Sequence, residues 1–190
     1  MRTPNRPART RRRFAAGVAA VAAATFTVSS GVASAGILQI DQEVQEQDQW
    51  CWAASGLTIA KFHGKGNVSQ NDFCNLARNA PVGSDCPNEG GELEWDQVAF
   101  RALGLSAGQV TGAMAYKSVA TEIDAKRPIE TGIYWTAGGG HAQVIYGYQG
   151  QTLSYGDPWP YSPRYGEMSH SSYTRNGEFR WGGALSKVGA

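Results

Sequence analysis

The spacing of apolar residues changes once along this chain, and that change limits the folds open to it. From Cys51 to about residue 126 apolar positions recur at helical spacing. The clearest run is Cys51 to Phe62, in which Ala53, Leu57, Ile59 and Ala60 share one face. His63-Gly64-Lys65-Gly66 ends that helix. Further helices are predicted from Ser69, with Asp72 three residues on as a capping box, to about Asn79; over about Leu93 to Leu103; and over Tyr116 to Lys126, stopped by Pro128. From Ile129 the period becomes two. Ile129–Trp135 and His141–Tyr148 read as strands. In the second, Ala142, Val144, Tyr146 and Tyr148 lie on one side and Gln143 and Ile145 on the other. Gln149-Gly150-Gln151 turns the chain into a returning strand, Thr152–Tyr155. Residues 159–190 hold one or two more short strands. Helices first and antiparallel strands after is an α+β layout.

The first 35 residues read as an export signal rather than as part of the fold. Arg2, Arg6, Arg9, Arg11, Arg12 and Arg13 make a basic start. Phe14 to about Phe26 is apolar and Ala-rich, and Ala33-Ser34-Ala35 is a cleavage site that would leave Gly36 as the new N-terminus. Thr10-Arg11-Arg12-Arg13-Phe14 has the form of a twin-arginine signal. The expected organisation is therefore a signal over 1–35 and one domain over 36–190, secreted and free of the membrane after cleavage. The chain has 17 basic and 16 acidic side chains; six basic ones lie in the signal, leaving 11 against 16, a net charge of about −5. That balance argues against nucleic acid or an anionic membrane as a partner.

Export also frames the three cysteines. In an oxidising compartment three suggest one bridge and one free thiol. Cys74 and Cys86, with eleven residues between them, are the expected disulfide. Cys51 is then free. It stands between Trp50 and Trp52 at a helix start, where unpaired N–H groups and the helix dipole favour a thiolate, the nucleophilic form. Of the three histidines, His63 sits in a polar helix end and reads as solvated, and His170 lies among serines. His141 follows Gly138-Gly139-Gly140 and opens an apolar strand, which makes it the candidate general base. Asp157 ends the returning strand. With the turn near Gly150 it comes close to opposite His141, where a carboxylate orients the imidazole and stabilises its cation. Gln45, six residues before Cys51, could supply an amide to an oxyanion hole with the Cys51 N–H; Gln42, Gln47 and Gln49 are rivals that spacing does not separate. No Cys-x-x-Cys or ligand-spaced histidine points to zinc, and the glycine run precedes a strand, so no phosphate loop is expected. No cofactor or metal is called for.

Gln45, then Cys51-Trp52-Ala53-Ala54, then Gly138-Gly139-Gly140-His141, then Asp157-Pro158-Trp159 resemble the papain-like cysteine peptidases, in particular compact bacterial secreted ones such as plant-pathogen effector proteases and bacteriocin-processing-type peptidases. The resemblance spans most of residues 45–160. It implies a helical part with the Cys on its first helix, followed by an antiparallel sheet carrying His and Asp. It also implies that Trp159 shields the His–Asp pair from water. The chain departs from papain in three ways: only 90 residues separate Cys51 from His141, the Cys-Gly-Ser-Cys-Trp signature is absent, and 15 residues between signal and Cys51 leave no room for an inhibitory propeptide. The resemblance implies a monomeric cysteine endopeptidase acting on protein or peptide through a Cys-His-Asp triad. Acyl transfer of the transglutaminase kind, cell-wall peptide hydrolysis, and an inactive binding module on the same fold are the alternatives.

Overall fold

The computed structural model describes residues 34–189. The predicted basic start and apolar run of the signal lie outside the described residues. Ala35, the predicted last residue of the signal, opens β1 (Ala35–Ile37). The elements that follow are α1 (Cys51–Phe62), α2 (Gln70–Ala77), α3 (Leu93–Ala102), β2 (Ala107–Thr111), α4 (Tyr116–Asp124), β3 (Ile129–Trp135), β4 (Gly140–Gln149), β5 (Thr152–Gly156), β6 (Tyr165–Ser169), α5 (His170–Thr174) and β7 (Phe179–Val188). The layout is α+β, as expected, with one strand, β2, set among the helices.

The sheet runs β2-β7-β3-β4-β5-β6, every pair antiparallel, and β1 pairs with the far end of β4. It is covered on both faces. Towards α1, α2 and α3 a core forms from Leu57, Ile59, Phe73, Phe100, Ala142, Val144 and Leu185. On the other face Val119 and Ile123 of α4 and Tyr173 of α5 meet Ile129, Ile133, Ile145, Leu153 and Trp181. A strand buried on both faces reads as a nearly continuous apolar run, and β4 has this form.

One irregularity matters for the site. β4 and β5 shift register between Ile145 and Gly147. The extra residue turns the rest of β4 over, so Tyr148 joins Ile145 in the α4-side core instead of lying with Ala142 and Val144 as simple alternation predicts. Helix α1 has no side-chain cap. At α2, Ser69 Oγ accepts from the Asp72 N–H at 3.0 Å, but the expected box is not reciprocal: the Asp72 carboxylate accepts from the Gly83 N–H instead, at 2.8 Å.

Cys74 and Cys86 form the expected disulfide, spanning 12 positions and tying α2 to the loop that leads to α3. Replacing both with serine removes a loop constraint worth about 3 kcal/mol. The urea midpoint of the double variant should fall accordingly, and an unchanged midpoint would mean the loop is held by its hydrogen bonds alone.

Candidate active site

Cys51 is the first residue of α1, so its backbone N–H has no acceptor within the helix and the positive end of the dipole lies at the thiol. It is half-buried and is the free cysteine. The flanking tryptophans, both buried, have a definite task. Trp50 Nε1 donates to the Pro87 carbonyl at 3.0 Å and Trp52 Nε1 to the Glu89 carbonyl at 3.1 Å, which pins the loop after Cys86 across the start of α1. Gly91 lies so close on the Trp52 ring that no side chain fits there. The result is a cleft of about 520 Å³ beside the thiol. Cys51, Gln49, Tyr134 and His141 line it, with glycines at 90, 91, 132, 140, 182 and 183.

His141 enters this cleft at the start of β4. Gly138 and Gly139, at φ 100° and 85°, form the turn from β3, a task for which glycine is suited. Only Gly140 of that run borders the cleft. His141 Nε2 lies 2.8 Å from Asp157 Oδ1, which leaves Nδ1 for Cys51. Burial of the imidazole opposes its protonation. Hydrogen bonds to Asp157 and Cys51, with their charges, outweigh burial and raise its pKa from 6.5 to about 9. The ring stacks on Trp135, centroids 5.9 Å apart and planes 23° from parallel.

Asp157 is buried and accepts three hydrogen bonds, from His141, from Gln143 Nε2 at 2.7 Å and from the Trp159 N–H at 2.8 Å. Burial alone would raise its pKa; His141, the Trp159 N–H and the Gln143 amide bring it below 3.8. Its backbone is fixed as well, since its N–H donates to the Arg164 carbonyl at 3.0 Å and the Arg164 guanidinium donates to its carbonyl. The β4 bulge puts Asp157 level with Gln143, where an unbroken register would put it level with Val144, and from there it reaches the imidazole diagonally. Gln143 in turn accepts from the Tyr173 hydroxyl at 2.9 Å, and Tyr173 meets Thr131 Oγ1 at 2.7 Å. This buried chain lies behind the imidazole, and burial pushes the Tyr173 phenol well up.

The structure thus brings Cys51, His141 and Asp157 together, and separates two other expectations from them. Gln45 is buried and does not border the cleft: its Nε2 donates to the Gln47 and Asp48 carbonyls, both at 2.9 Å. Its N–H ties the loop to the Pro158 carbonyl. Of the rival glutamines, Gln49 borders the cleft. The Trp159 ring lies beside Tyr161, while its backbone serves Asp157; the indole stacked on His141 is Trp135. No role beside His141 was read from the sequence for Trp135, Gln143 or Tyr173. Gln143 alone left a trace there, two residues after His141 on a strand. Nor is His63 solvated: it is half-buried against Gly189, and burial lowers its pKa. His170 bonds the Met114 carbonyl at 2.8 Å. Among the described residues no three His, Cys, Asp or Glu side chains converge on a metal position.

A helix-borne thiol beside a strand-borne imidazole, on a helix-and-sheet fold of this kind, is the arrangement of the papain-like cysteine peptidases. The sequence matches the family model described as papain-like cysteine protease AvrRpt2 over residues 35–178, and the chain belongs to that family: it is a cysteine peptidase. No curated protein matches it significantly. Among solved structures, the peptidase domain of Streptococcus ComA, a bifunctional ABC transporter involved in a quorum-sensing pathway, is similar at 21% identity with a TM-score of 0.56. The alignment covers 76% of this chain and 95% of that one. A C39-like peptidase from Bacillus anthracis is similar at 13% identity and a TM-score of 0.56, covering 80% and 97%. A double-glycine-motif protease from an AMS/PCAT transporter, in complex with the leader peptide, is similar at 18% identity and a TM-score of 0.50, covering 80% and 93%.

The raised His141 pKa gives stability that is full below 6.5 and is lost as pH rises through about 9. The lowered Asp157 pKa gives stability that is present above 3.8 and lost on acidification. Asp157→Asn should therefore drop the His141 titration from about 9 towards 6.5, read from imidazole NMR signals. A midpoint still near 9 would mean that Cys51 alone holds the imidazolium.

Proposed function

We propose that the protein is a secreted endopeptidase that cleaves peptide bonds through Cys51, His141 and Asp157. The observation that carries this reading is the position of His141, bonded to Asp157 at Nε2 and lining the same cleft as Cys51, with a pKa raised to about 9. An imidazolium beside a thiol favours the thiolate form, the nucleophile. The Cys51 thiolate attacks the carbonyl carbon of the scissile bond. The negative oxygen that develops faces the free N–H of Cys51 at the head of α1. His141 Nδ1 passes its proton to the leaving amine, and the C–N bond breaks to leave a thioester. Water, deprotonated by His141, then adds to the thioester carbonyl and releases the acid and the thiolate.

The substrate in this reading is an extended peptide. The glycine-rich floor lets a backbone approach the thiol closely, and one structural neighbour holds a leader peptide. The second oxyanion donor is a side-chain amide. Gln49 borders the cleft as it stands, whereas Gln45 must first release two carbonyls. Residues 1–35 provide the route out of the cell.

Labelling with an iodoacetamide probe tests the site. Cys51 should react fast at about pH 5 to 6, and lose that reactivity in His141→Ala. Casein hydrolysis should fall on the order of 10⁴-fold or more in Cys51→Ala. Incorporation of an added amine in place of hydrolysis would identify an acyltransferase instead. For the oxyanion donor, Gln49→Ala should lower kcat by about 10²-fold. A loss of that size confined to Gln45→Ala would return the role to Gln45.

A further inference from the structure

Two carboxyls that peptide hydrolysis does not use are buried together on the helix-facing side of the sheet. Asp96 of α3 and Glu130 of β3 are both 0% exposed. No N–H or hydroxyl donates to any of their four oxygens, and the partner within reach of each is the other carboxyl. Ionised carboxylates only accept, so this contact exists only while one of them carries a proton. Glu130 is level with the buried apolar residues Val144 of β4 and Leu185 of β7. Asp96 lies against Gly56 of α1, beside Phe73 of α2. A Cβ at Gly56 would stand 2.7 Å from Asp96 Oδ1 and 2.6 Å from the Phe73 ring. The neighbours from α2, β4 and β7 do not titrate. From α1, Cys51 does, and its charge acts on both carboxyls.

We propose that Asp96 and Glu130 are a positioning pair for Cys51: they hold a proton between them, and the hydrogen bond made through it clasps α3 and β3 beneath α1. The role in catalysis rests on Cys51 being the nucleophile. A pair of full charges in this place would repel itself and oppose the thiolate twice over; a shared proton removes the repulsion and halves the charge that faces the thiolate. Burial is the largest influence on Asp96, followed by the charge and hydrogen bond of Glu130 and the charge of Cys51, all of which raise its pKa well above 3.8. Burial also raises Glu130 well above 4.5, helped by Cys51 and opposed by the hydrogen bond to Asp96. Coupling is reciprocal, so whatever makes the thiolate favour a protonated pair makes a protonated pair favour the thiolate.

The sign of the pH dependence follows. The folded pair binds its protons more tightly than the unfolded chain, whose carboxyls titrate near 4. The stability it contributes is full below about 4 and is lost as pH rises through the folded values. Glu130→Gln offers Asp96 a permanent amide donor and has no proton to lose. Glu130→Leu offers none. On the whole exported chain, thermal midpoints and kcat/KM for casein are followed from about pH 5 to 10.5. In Glu130→Gln the midpoint should match wild type at pH 5 and exceed it by several degrees at pH 8, and the alkaline limb of kcat/KM should move up by about one pH unit, carried by kcat rather than KM. Asp96→Asn should do the same, and Glu130→Leu should fall below wild type in both. Parallel midpoints for wild type and both amide variants, a limb that does not move, Glu130→Leu equal to Glu130→Gln, or failure of both amide variants to fold would each overturn the pair. If wild type hydrolyses nothing, the peptidase reading of the site fails while the midpoints still decide whether the proton is shared.

Discussion

The hydrogen bond from His141 to Asp157 joins two neighbouring strands, and one extra residue in β4 sets its geometry. Without the shift between Ile145 and Gly147 the two side chains would stand in a different register. With it, Asp157 is level with Gln143, and one carboxylate receives both the imidazole and the amide. The same shift sends Tyr148 to the opposite face, where its hydroxyl donates to Asp124 of α4 at 2.8 Å. A single bulge thus aligns His141 with Asp157 and anchors the layer behind them. Bulges re-aim side chains in this way beside active sites.

Much of this was legible in the sequence where the signal was local. α1 begins at Cys51 and ends at Phe62 because apolar spacing, and the glycine after His63, depend only on near neighbours. Cys51, His141 and Asp157 were legible for the same reason: a thiol at a helix start, a histidine opening a strand, an aspartate closing the next one. β2 was missed, because Ala-Gly-Gln-Val-Thr has little alternation and Gly108, at φ 68°, interrupts it. α5 was missed because it is one short turn rich in serine. Gln143 and Tyr173 depend on partners 14 to 42 positions away, and Trp135 meets His141 across a hairpin; spacing carries no information about such pairs. Asp96 sits in an ordinary amphipathic helix and Glu130 in an apolar strand, and nothing local marks either as buried.

The resemblance to papain gave the right neighbourhood and left individual side chains to be placed by packing. Trp159 follows Asp157 by two residues and serves it through its backbone, while the ring on the imidazole comes from β3, across the hairpin. Gln45 holds the loop in shape by bonding its carbonyls and by tying it to Pro158, so it joins the Cys and Asp segments whether or not its amide ever reaches an oxyanion. The two tryptophans that first drew attention to Cys51 act on a segment 37 residues away, holding the cleft wall by their indole N–H groups.

The order of strands has a consequence for the timing of assembly. β7 lies between β2 and β3, joining an edge strand to the body of the sheet. It carries Gly182 and Gly183 of the cleft floor, and β2 beside it carries Val110 and Thr111. A ribosome makes β2 long before β7, and until β7 emerges β2 has nothing to pair with. Contacts between distant parts of a chain close late in folding. Cys51 and His141 are therefore synthesised before the last part of the cleft floor. A chain still being made lacks the two glycines with which β7 completes the cleft.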